Sequence, residues 1–333
     1  MTGVSALRRV SVSGMVLGVV YGSLARWALA DQGMPGWFGT MTISFIWLVP
    51  FVMGFLTVRP HPNPSVLYRL LAPWVPISIW VAASWAVGWE GAICIVMALP
   101  ILLIMGSLGG VVGGWMRLRP APAGVLVLIP WLVAPLENRW HPGPTIREVE
   151  SAITIEAPAD IVWRNVIEVP AIQASEARPA LFTTIGFPRP IDATLTGSGV
   201  GAVRHARFAG GVLFVETVTD WVPERRLSFT IKAQTDSIPP TTLDQHVTIG
   251  GEYFDVLIGT YELEPGPEGI RLVLKSTHRL STRFNFYSGL WSDAVMQSIQ
   301  RNILEVLKKR CEAQAPGMPV AQIRPVEHIS GVG

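Results

Sequence analysis

The spacing of apolar positions divides the chain into two parts. Up to about residue 136, apolar residues form long unbroken stretches, whereas from residue 150 they alternate with polar residues or recur every three or four positions. An unbroken run of about 20 apolar residues can cross a bilayer as a helix, and alternation with a period of two is typical of a half-buried strand. The pattern therefore predicts an α-helical membrane bundle followed by a domain that contains a sheet.

Four apolar stretches have the length of a transmembrane helix, and a fifth is shorter. The fifth, residues 123–136, contains Pro130 and Pro135, so it could cross the bilayer, enter it part of the way or lie at its surface. We therefore predict a membrane domain over residues 1–136 with four or five transmembrane helices. The four long stretches are Val10–Ala30, Met41–Val58, Leu70–Gly88 and Ala92–Trp115.

The distribution of charge indicates how these helices are oriented. Residues 1–136 carry seven arginines against two acidic residues, Asp31 and Glu90. Six of the arginines precede the first stretch, bracket the loop after the second or follow the fourth, and basic loops stay on the cytoplasmic side. We expect an integral protein of the bacterial inner membrane with a cytoplasmic N-terminus. Four crossings would leave the following domain in the cytoplasm and five would put it outside, so its side stays open.

Composition excludes several classes of partner for the rest of the chain. Residues 137–333 hold 19 of the 26 basic and 22 of the 24 acidic side chains, a balance that does not favour binding to nucleic acid. The six histidines are scattered singly, and Cys94 and Cys311 lie in different domains, so we expect no metal site. The glycine-rich segment GSGVGA, residues 197–202, has strands on both sides, which argues against a dinucleotide site. We expect no cofactor.

Residues 150–313 predict one α+β domain. Ser151–Ala157 alternates like a strand, and Pro158 suits the first turn of a helix that continues to Val166. Ala171–Ala177 could form a second short helix. Residues 137–149 are interpreted as a linker and residues 314–333 as a disordered tail.

Six alternating segments and a long helix complete this domain. The segments predict an antiparallel meander, and the helix, from Tyr287 to about Cys311, carries one apolar stripe. The segment 235–253 interrupts the meander with two prolines and could form a lid. The six predicted strands are Asp192–Thr196, Gly201–Phe208, Val212–Trp221, Arg226–Ala233, Phe254–Leu263 and Ile270–Leu280.

This order of elements is that of a helix-grip domain, in which a curved antiparallel sheet wraps around a long C-terminal helix. The segments ITIEAPADIVW, GSGVGAVRHARFAGGVLFVETVTDWVPERRLSFTI and YELEPGPEGIRLVL resemble the START-like (SRPBCC) superfamily, which contains polyketide cyclases, lipid-transfer domains and the major birch-pollen allergen. The resemblance covers residues 150–312. It implies a cavity between sheet and helix that holds a hydrophobic ligand and, in some members, a reaction within that cavity.

Strand register predicts which side chains face such a cavity, because a slip of one residue reverses both faces of a strand. Pairing Leu263 with Ile270 across EPGPEG puts Asp255 opposite His278, with Tyr261 on the same apolar wall. A carboxylate beside an imidazole favours its charged form and holds its tautomer, as a general base requires. His278, Asp255 and Tyr261 are therefore candidate catalytic residues. The alternative is a structural pair at the end of the sheet.

Two further hairpin registers and the final helix provide candidate ligand contacts. Pairing Trp221 with Leu227 turns Glu216 to the outer face. The turn AGG, residues 209–211, allows two registers, and we favour the one that aligns Arg204 with Glu216 outside and turns Arg207 inward, because it avoids burying Arg204. The candidate ligand-binding residues are Val215, Thr217, Phe229, Ile231, Leu257, Leu272, Leu274, Trp291, Val295 and Arg207.

From these patterns and the resemblance, we expect a membrane-held protein that binds or handles a hydrophobic small molecule, such as a lipid, an isoprenoid or a polyketide-like compound. Two alternatives stay open. One is a cyclase- or hydrolase-type enzyme that acts on such a ligand. The other is a regulatory membrane protein whose domain has a collapsed pocket and binds a partner protein.

Overall fold

A computed structural model of the chain describes residues 12–29, 39–116, 123–137, 139, 142–173, 176, 181–184, 186–234 and 249–315. The chain divides into two compact units. The first consists mainly of residues up to Gly143, and the second consists mainly of residues from Pro144 onward. The predicted tail from residue 316 and residues 235–248 of the predicted lid lie outside the described residues.

The first unit is helical, with a helix in each apolar stretch. Two segments, Val66–Ala86 and Ala92–Met116, are long and apolar enough to cross a membrane, and the other apolar helices are shorter. Within the described residues, two segments therefore have the length of a transmembrane helix, and the predicted four or five such helices are not confirmed. The helices are α1 (Val12–Leu29), α2 (Val49–Val58, which continues a π-helical turn at Ser44–Leu48), α3 (Val66–Leu71), α4 (Trp74–Ala86), α5 (Ala92–Met116) and α6 (Ala123–Glu137).

Glycines let α2 and α5 pack backbone against backbone. A Cβ atom built on Gly54 would lie 1.9 Å from the carbonyl oxygen of Gly106, and one on Gly109 would lie 1.8 Å from that of Phe51. Only residues without side chains permit such an approach, which is the packing typical of small residues spaced along helices in membranes.

Carboxylates join the ends of helices within this unit. Glu137, the last residue of α6, accepts hydrogen bonds from the backbone N–H of Ile43 (2.5 Å) and Ser44 (3.0 Å) and from the Ser44 hydroxyl (2.8 Å). Arg26, near the end of α1, donates from Nε to Glu90 Oε1 at 2.8 Å. The end of α6 is therefore fixed beside the start of the helix that leads into α2.

In its described ranges, the second unit is a seven-stranded antiparallel sheet with three α-helices. The strand order is β1-β7-β6-β5-β4-β3-β2, so six strands form a meander and β1 pairs with β7. The elements are β1 (Thr145–Ile155), α7 (Ala159–Ile167), α8 (Leu181–Thr184), β2 (Pro190–Thr196), β3 (Val203–Phe208), β4 (Leu213–Val222), β5 (Arg226–Gln234), β6 (Phe254–Gly266), β7 (Gly269–Leu280) and α9 (Asn285–Gln314).

These elements confirm the predicted order of strands and helices, with differences at their ends. β1 begins at Thr145, inside the segment interpreted as a linker, because its polar first residues pair with the end of β7. Pro158 is the N-cap of α7. Residues 171–173 of the predicted second short helix are not helical, and a four-residue helix forms further on, at α8.

Helix α9 lies over one side of the sheet. It packs against β1 and β7, where the buried Gln300 amide donates to the Val149 carbonyl and the Ser276 hydroxyl, both at 2.9 Å. Leu304 and Leu307 continue this contact in the main apolar core. Within the described part of the chain, α9 has no comparable packing against β3, β4 or β5. The inner face of those three strands is therefore the part of the interior that α9 leaves least covered.

Candidate functional site

The β6–β7 hairpin turns more tightly than the sequence predicted. Gly266 pairs with Gly269, so the turn has two residues, and Leu263 pairs with Leu272 instead of Ile270. This difference of two residues keeps each side chain on its predicted face, because faces alternate with a period of two. Leu272 and Leu274 accordingly lie on the inner face, in the main core.

A bulge further along the same hairpin separates the predicted His–Asp pair. The register shifts between Val256 and Ile258, so Val256 lies opposite His278 and Asp255 lies opposite Arg279. A shift of one residue exchanges the faces. The predicted pairing of Asp255 with His278 is therefore wrong. Burial raises the pKa of Asp255, and Arg279 opposes that rise.

His278 faces the interior, as predicted, but its partners come from α9. The ring is 0% exposed, with Nε2 3.0 Å from Ser292 Oγ and 3.6 Å from Asp293 Oδ1. Arg147 holds Asp293 with two hydrogen bonds of 2.9 and 2.5 Å. Burial lowers the pKa of His278, Asp293 opposes the change and Arg147 reinforces it. The arrangement favours a neutral imidazole that fastens α9 to the sheet.

A second bulge, in β4, reverses the predicted faces of the residues that precede it. Trp221 pairs with Leu227 as predicted, but Thr219 is left unpaired, and Glu216 then lies opposite Ile231. Glu216 therefore points into the interior. Sequence alternation alone could not reveal this, because a bulge inserts one residue without breaking the apolar and polar pattern on either side.

Because of the same bulge, two of the predicted ligand contacts lie on the outer face of β4. Val215 pairs with Lys232 and Thr217 with Thr230, on the outer face. Val215 is half-buried and Thr217 is exposed. The prediction that they face the cavity is wrong.

The alignment of Arg204 with Glu216 is confirmed, but both residues lie inside. Their exposures are 3% and 6%. Arg207, predicted to point inward, is exposed and pairs with Asp192 through its guanidinium. We chose the register that keeps Arg204 out of the core, and this choice placed the side chains of β3 on the wrong faces of the sheet.

Arg204, Glu216 and Tyr261 form a buried polar group, which we call the Arg204 cluster. Arg204 donates from Nη1 to Glu216 Oε2, and its charge interacts with the nearby Tyr261 phenol. Its guanidinium lies 5.5 Å from the centre of the Phe229 ring. Arg204 Nε is buried and has no hydrogen-bond partner among the residues that the structure describes. The sequence identified Tyr261 as a candidate but assigned it to His278.

Burial and charge act in opposite directions on this cluster. Burial would lower the pKa of Arg204, but the Glu216 carboxylate and the Tyr261 oxygen outweigh it, and the pKa is raised. Burial raises the pKa of Glu216 against the opposing effect of Arg204. Burial also raises the pKa of Tyr261, so its hydroxyl stays protonated at neutral pH.

Apolar side chains surround the cluster on the inner face. Phe208 and Phe214 meet edge to face at 5.2 Å, and both are only half-buried, like Ile231. Gly259 on β6 lies under Phe229, since a Cβ there would be 2.5 Å from Phe229 Cε2. Of the other candidate contacts, Leu257 is the unpaired residue of the β6 bulge, Trp291 is half-buried on α9, and Val295 is buried on α9.

No metal centre accompanies this site in the described ranges, where no group of three or more His, Cys, Asp or Glu side chains could hold an ion. The chemistry available is that of hydrogen-bond donors and one ion pair on an apolar wall.

Comparison with known proteins points to one family. Residues 147–312 match the family described as "Polyketide cyclase / dehydrase and lipid transport". That description suggests hydrophobic ligand binding or a cyclase-type role. No curated protein matches the chain.

Solved structures with similarity to the chain cover about half of it. An uncharacterised protein from Rhizobium leguminosarum is 14% identical, with 50% of this chain and 97% of that chain covered and a TM-score of 0.31. A protein from Thermus thermophilus is 19% identical, with coverages of 51% and 100% and a TM-score of 0.33. DynU16, a putative protein in the dynemicin biosynthetic locus, is 17% identical, with coverages of 48% and 46% and a TM-score of 0.28.

Proposed function

Since residues 147–312 match the polyketide cyclase/dehydrase and lipid transport family, we propose that this protein binds a hydrophobic small molecule between the inner face of β3–β5 and α9, while its helical unit holds it in a membrane. The ligand would be a lipid, an isoprenoid or a polyketide-like compound. Membrane attachment would keep the domain beside the phase in which such molecules dissolve.

One observation carries the proposal. Phe208, Phe214 and Ile231 point into the interior of the domain and yet are only half-buried. Large apolar side chains in a closed core are normally covered completely, and each Å² of apolar surface removed from water contributes about 25 cal/mol. A hydrophobic guest against this wall would gain that free energy without any rearrangement of the sheet.

A binding role is favoured over the enzymatic alternative because the proposed general base does not meet its predicted partner, Asp255. His278 has Val256 opposite it instead of Asp255. Burial lowers its pKa and it is hydrogen-bonded to Ser292. A residue in these surroundings serves the attachment of α9.

Photolabelling of the full chain tests the proposal. A long-chain alcohol with a diazirine, added to membranes that contain the protein, should label peptides of β4 and β5 as well as the apolar helices. Ile231→Trp fills the inner wall and should reduce labelling of β4 and β5 at least threefold, while Thr230→Trp, on the exposed outer face of the same strand, should not. Labelling of the helices is the internal control. Equal labelling of β4 and β5 in both variants would exclude the pocket.

The membrane orientation is part of the same proposal, and the Glu137 contact supports five crossings. Glu137 lies beside Ile43 and Ser44, at the start of a 15-residue helical stretch that ends before Arg59. At 1.5 Å per residue, this stretch is about 22 Å long. The end of α6 is therefore far from Arg59 within the helical unit. If Arg59 and Arg69 mark the cytoplasmic side, the chain leaves α6 on the opposite side.

Cysteine labelling checks this orientation. In a chain with both native cysteines replaced by serine, Asn63→Cys should react with an impermeant maleimide only after cells are lysed. Gly143→Cys, just beyond α6, should react in intact spheroplasts. Both positions are exposed. Protection of residue 143 until lysis would support four crossings and a cytoplasmic domain.

A further inference from the structure

We propose that the Arg204 cluster recognises an uncharged oxygen acceptor on the hydrophobic ligand, such as the carbonyl of a ketone, a quinone or an ester. The inference rests on the proposed function, because it assigns a polar group to the ligand that would bind on the apolar inner face of β3–β5. It adds a chemical class of ligand and two donors that would select it.

The first argument is the unpaired donor in Arg204. Its Nε is buried and has no hydrogen-bond partner in the described part of the chain, whereas Nη1 bonds to Glu216. Buried polar groups in folded proteins are nearly always hydrogen-bonded, and an orphaned donor on a charged group is among the most costly. A ligand oxygen would supply the missing acceptor.

Tyr261 contributes a second donor. Its phenol lies within reach of the Arg204 charge, and within the described residues its hydroxyl has no hydrogen-bond acceptor. Tyr261 is 3% exposed. The cluster therefore offers one guanidinium N–H and one phenol O–H to an incoming oxygen.

Charge balance decides which kind of oxygen fits. Glu216 already neutralises Arg204, so a ligand carboxylate would bring an uncompensated negative charge into an apolar interior. Burying an unpaired charge is far more costly than burying a neutral hydrogen-bonded group. A carbonyl accepts two hydrogen bonds without adding charge, and it is the better match.

The donors are also held in position. The Arg204 guanidinium lies over the Phe229 ring, and that ring lies against Gly259, where a side chain would collide with it. A cation over an aromatic face gains attraction that increases when water is excluded. Donors whose positions are fixed by packing lose less freedom when they bind an acceptor.

Stability of the fold does not by itself account for the cluster. Replacing a buried ion pair by apolar residues of similar volume is often neutral or stabilising. A core built only for stability would therefore not require an arginine, a glutamate and a phenol on its inner face. Recognition of a polar group on a guest gives these residues a role.

The test uses three photolabels that share one alkyl chain and one diazirine but end in a methyl group, a methyl ketone or a carboxylate. Each is applied to the full chain in membranes, and labelling of the β4 and β5 peptides is normalised to labelling of α5. We expect the ketone to exceed the alkane about tenfold, which corresponds to about 1.4 kcal/mol. The carboxylate should label no better than the alkane.

Two substitutions address the donors separately. Arg204→Lys keeps the positive charge for Glu216 but removes the Nε donor, and Tyr261→Phe removes one oxygen atom. Each should reduce the ketone preference to threefold or less. Arg207→Lys, on the exposed face of the same strand, should keep it. Tyr261→Phe retains the packing of the ring, so it provides a test even if Arg204→Lys does not fold.

The outcomes separate this inference from the proposed function. If none of the probes labels β4 and β5, there is no pocket and both ideas fail. If alkane and ketone label these strands equally in the wild-type chain, the pocket stands and the acceptor site is rejected. A preference for the carboxylate would also overturn the inference, because the site would then select anions.

Discussion

Replacement of Arg204 by methionine tests whether the ion pair lies inside the domain. The change removes the cation and leaves Glu216 buried at 6% exposure with no compensating charge. Breaking a buried pair in this way costs about 3–5 kcal/mol. An exposed pair, such as the outer ladder that the sequence predicted, contributes at most about 1 kcal/mol. The two locations therefore differ by several-fold in their expected effect.

Hydrogen exchange of β4 and β5 peptides in the full chain measures that cost, because it reports the free energy of opening for the sheet domain alone. We expect Arg204→Met to reduce it by about 3 kcal/mol or more. Substituting both Arg204 and Glu216 with methionine should recover most of the loss. Arg271→Met, which breaks a half-exposed pair with Glu264, is the control and should cost less than about 1 kcal/mol.

The reasoning would be refuted if Arg204→Met cost no more than Arg271→Met. In that case Glu216 would not be buried, the bulge at Thr219 would be absent, and the acceptor site would lose its basis.

Three further predictions concern other parts of the second unit. Burial lowers the pKa of folded His278 below the value of about 6.5 expected in the unfolded chain, so the stability of the domain should fall as the pH drops below about 6.5. His278→Gln should reduce this loss of stability between pH 7.5 and 5.5. An equal loss in the variant would assign the pH dependence to other groups. Gly259→Ala should destabilise the sheet by about 1–3 kcal/mol through collision with Phe229, as measured by hydrogen exchange of the β4 and β5 peptides. Adding Phe229→Leu should relieve this destabilisation. A double variant as unstable as Gly259→Ala alone would contradict the contact between Gly259 and Phe229. Cys311 is 0% exposed, and burial raises its pKa to about 12. Iodoacetamide at neutral pH should therefore modify Cys311 only after unfolding. Rapid modification of Cys311 in the folded chain would show that the end of α9 is open to solvent.

The order of elements in the second unit could be predicted because each depends on local pattern. Alternation identified all six strands of the meander, and Pro158 marked the start of α7. The long helix was evident from one apolar stripe. These patterns can be recognised in a single sequence because they depend only on residues close to one another along the chain.

The faces of β4 and β6 could not be predicted, because each depends on a single unpaired residue. Thr219 and Leu257 resemble their neighbours in type, and what makes each a bulge is the pairing with the adjacent strands. Every residue beyond the bulge was therefore predicted to lie on the wrong face of its strand. The Arg204 cluster was missed for a related reason: burying a charged pair has no local signature, and a rule that keeps arginine outside excludes it.

The bulge at Leu257 has a consequence for how such a domain could change over evolution. If Leu257 were deleted, Val256 and Ile258 would become neighbours, and each could keep its present place opposite His278 and Thr277. A lineage could therefore gain or lose one codon at this point without repositioning the imidazole or the strands around it. Homologues that differ by one residue here should be aligned by ladder partner, because counting along the chain would place equivalent side chains on opposite faces.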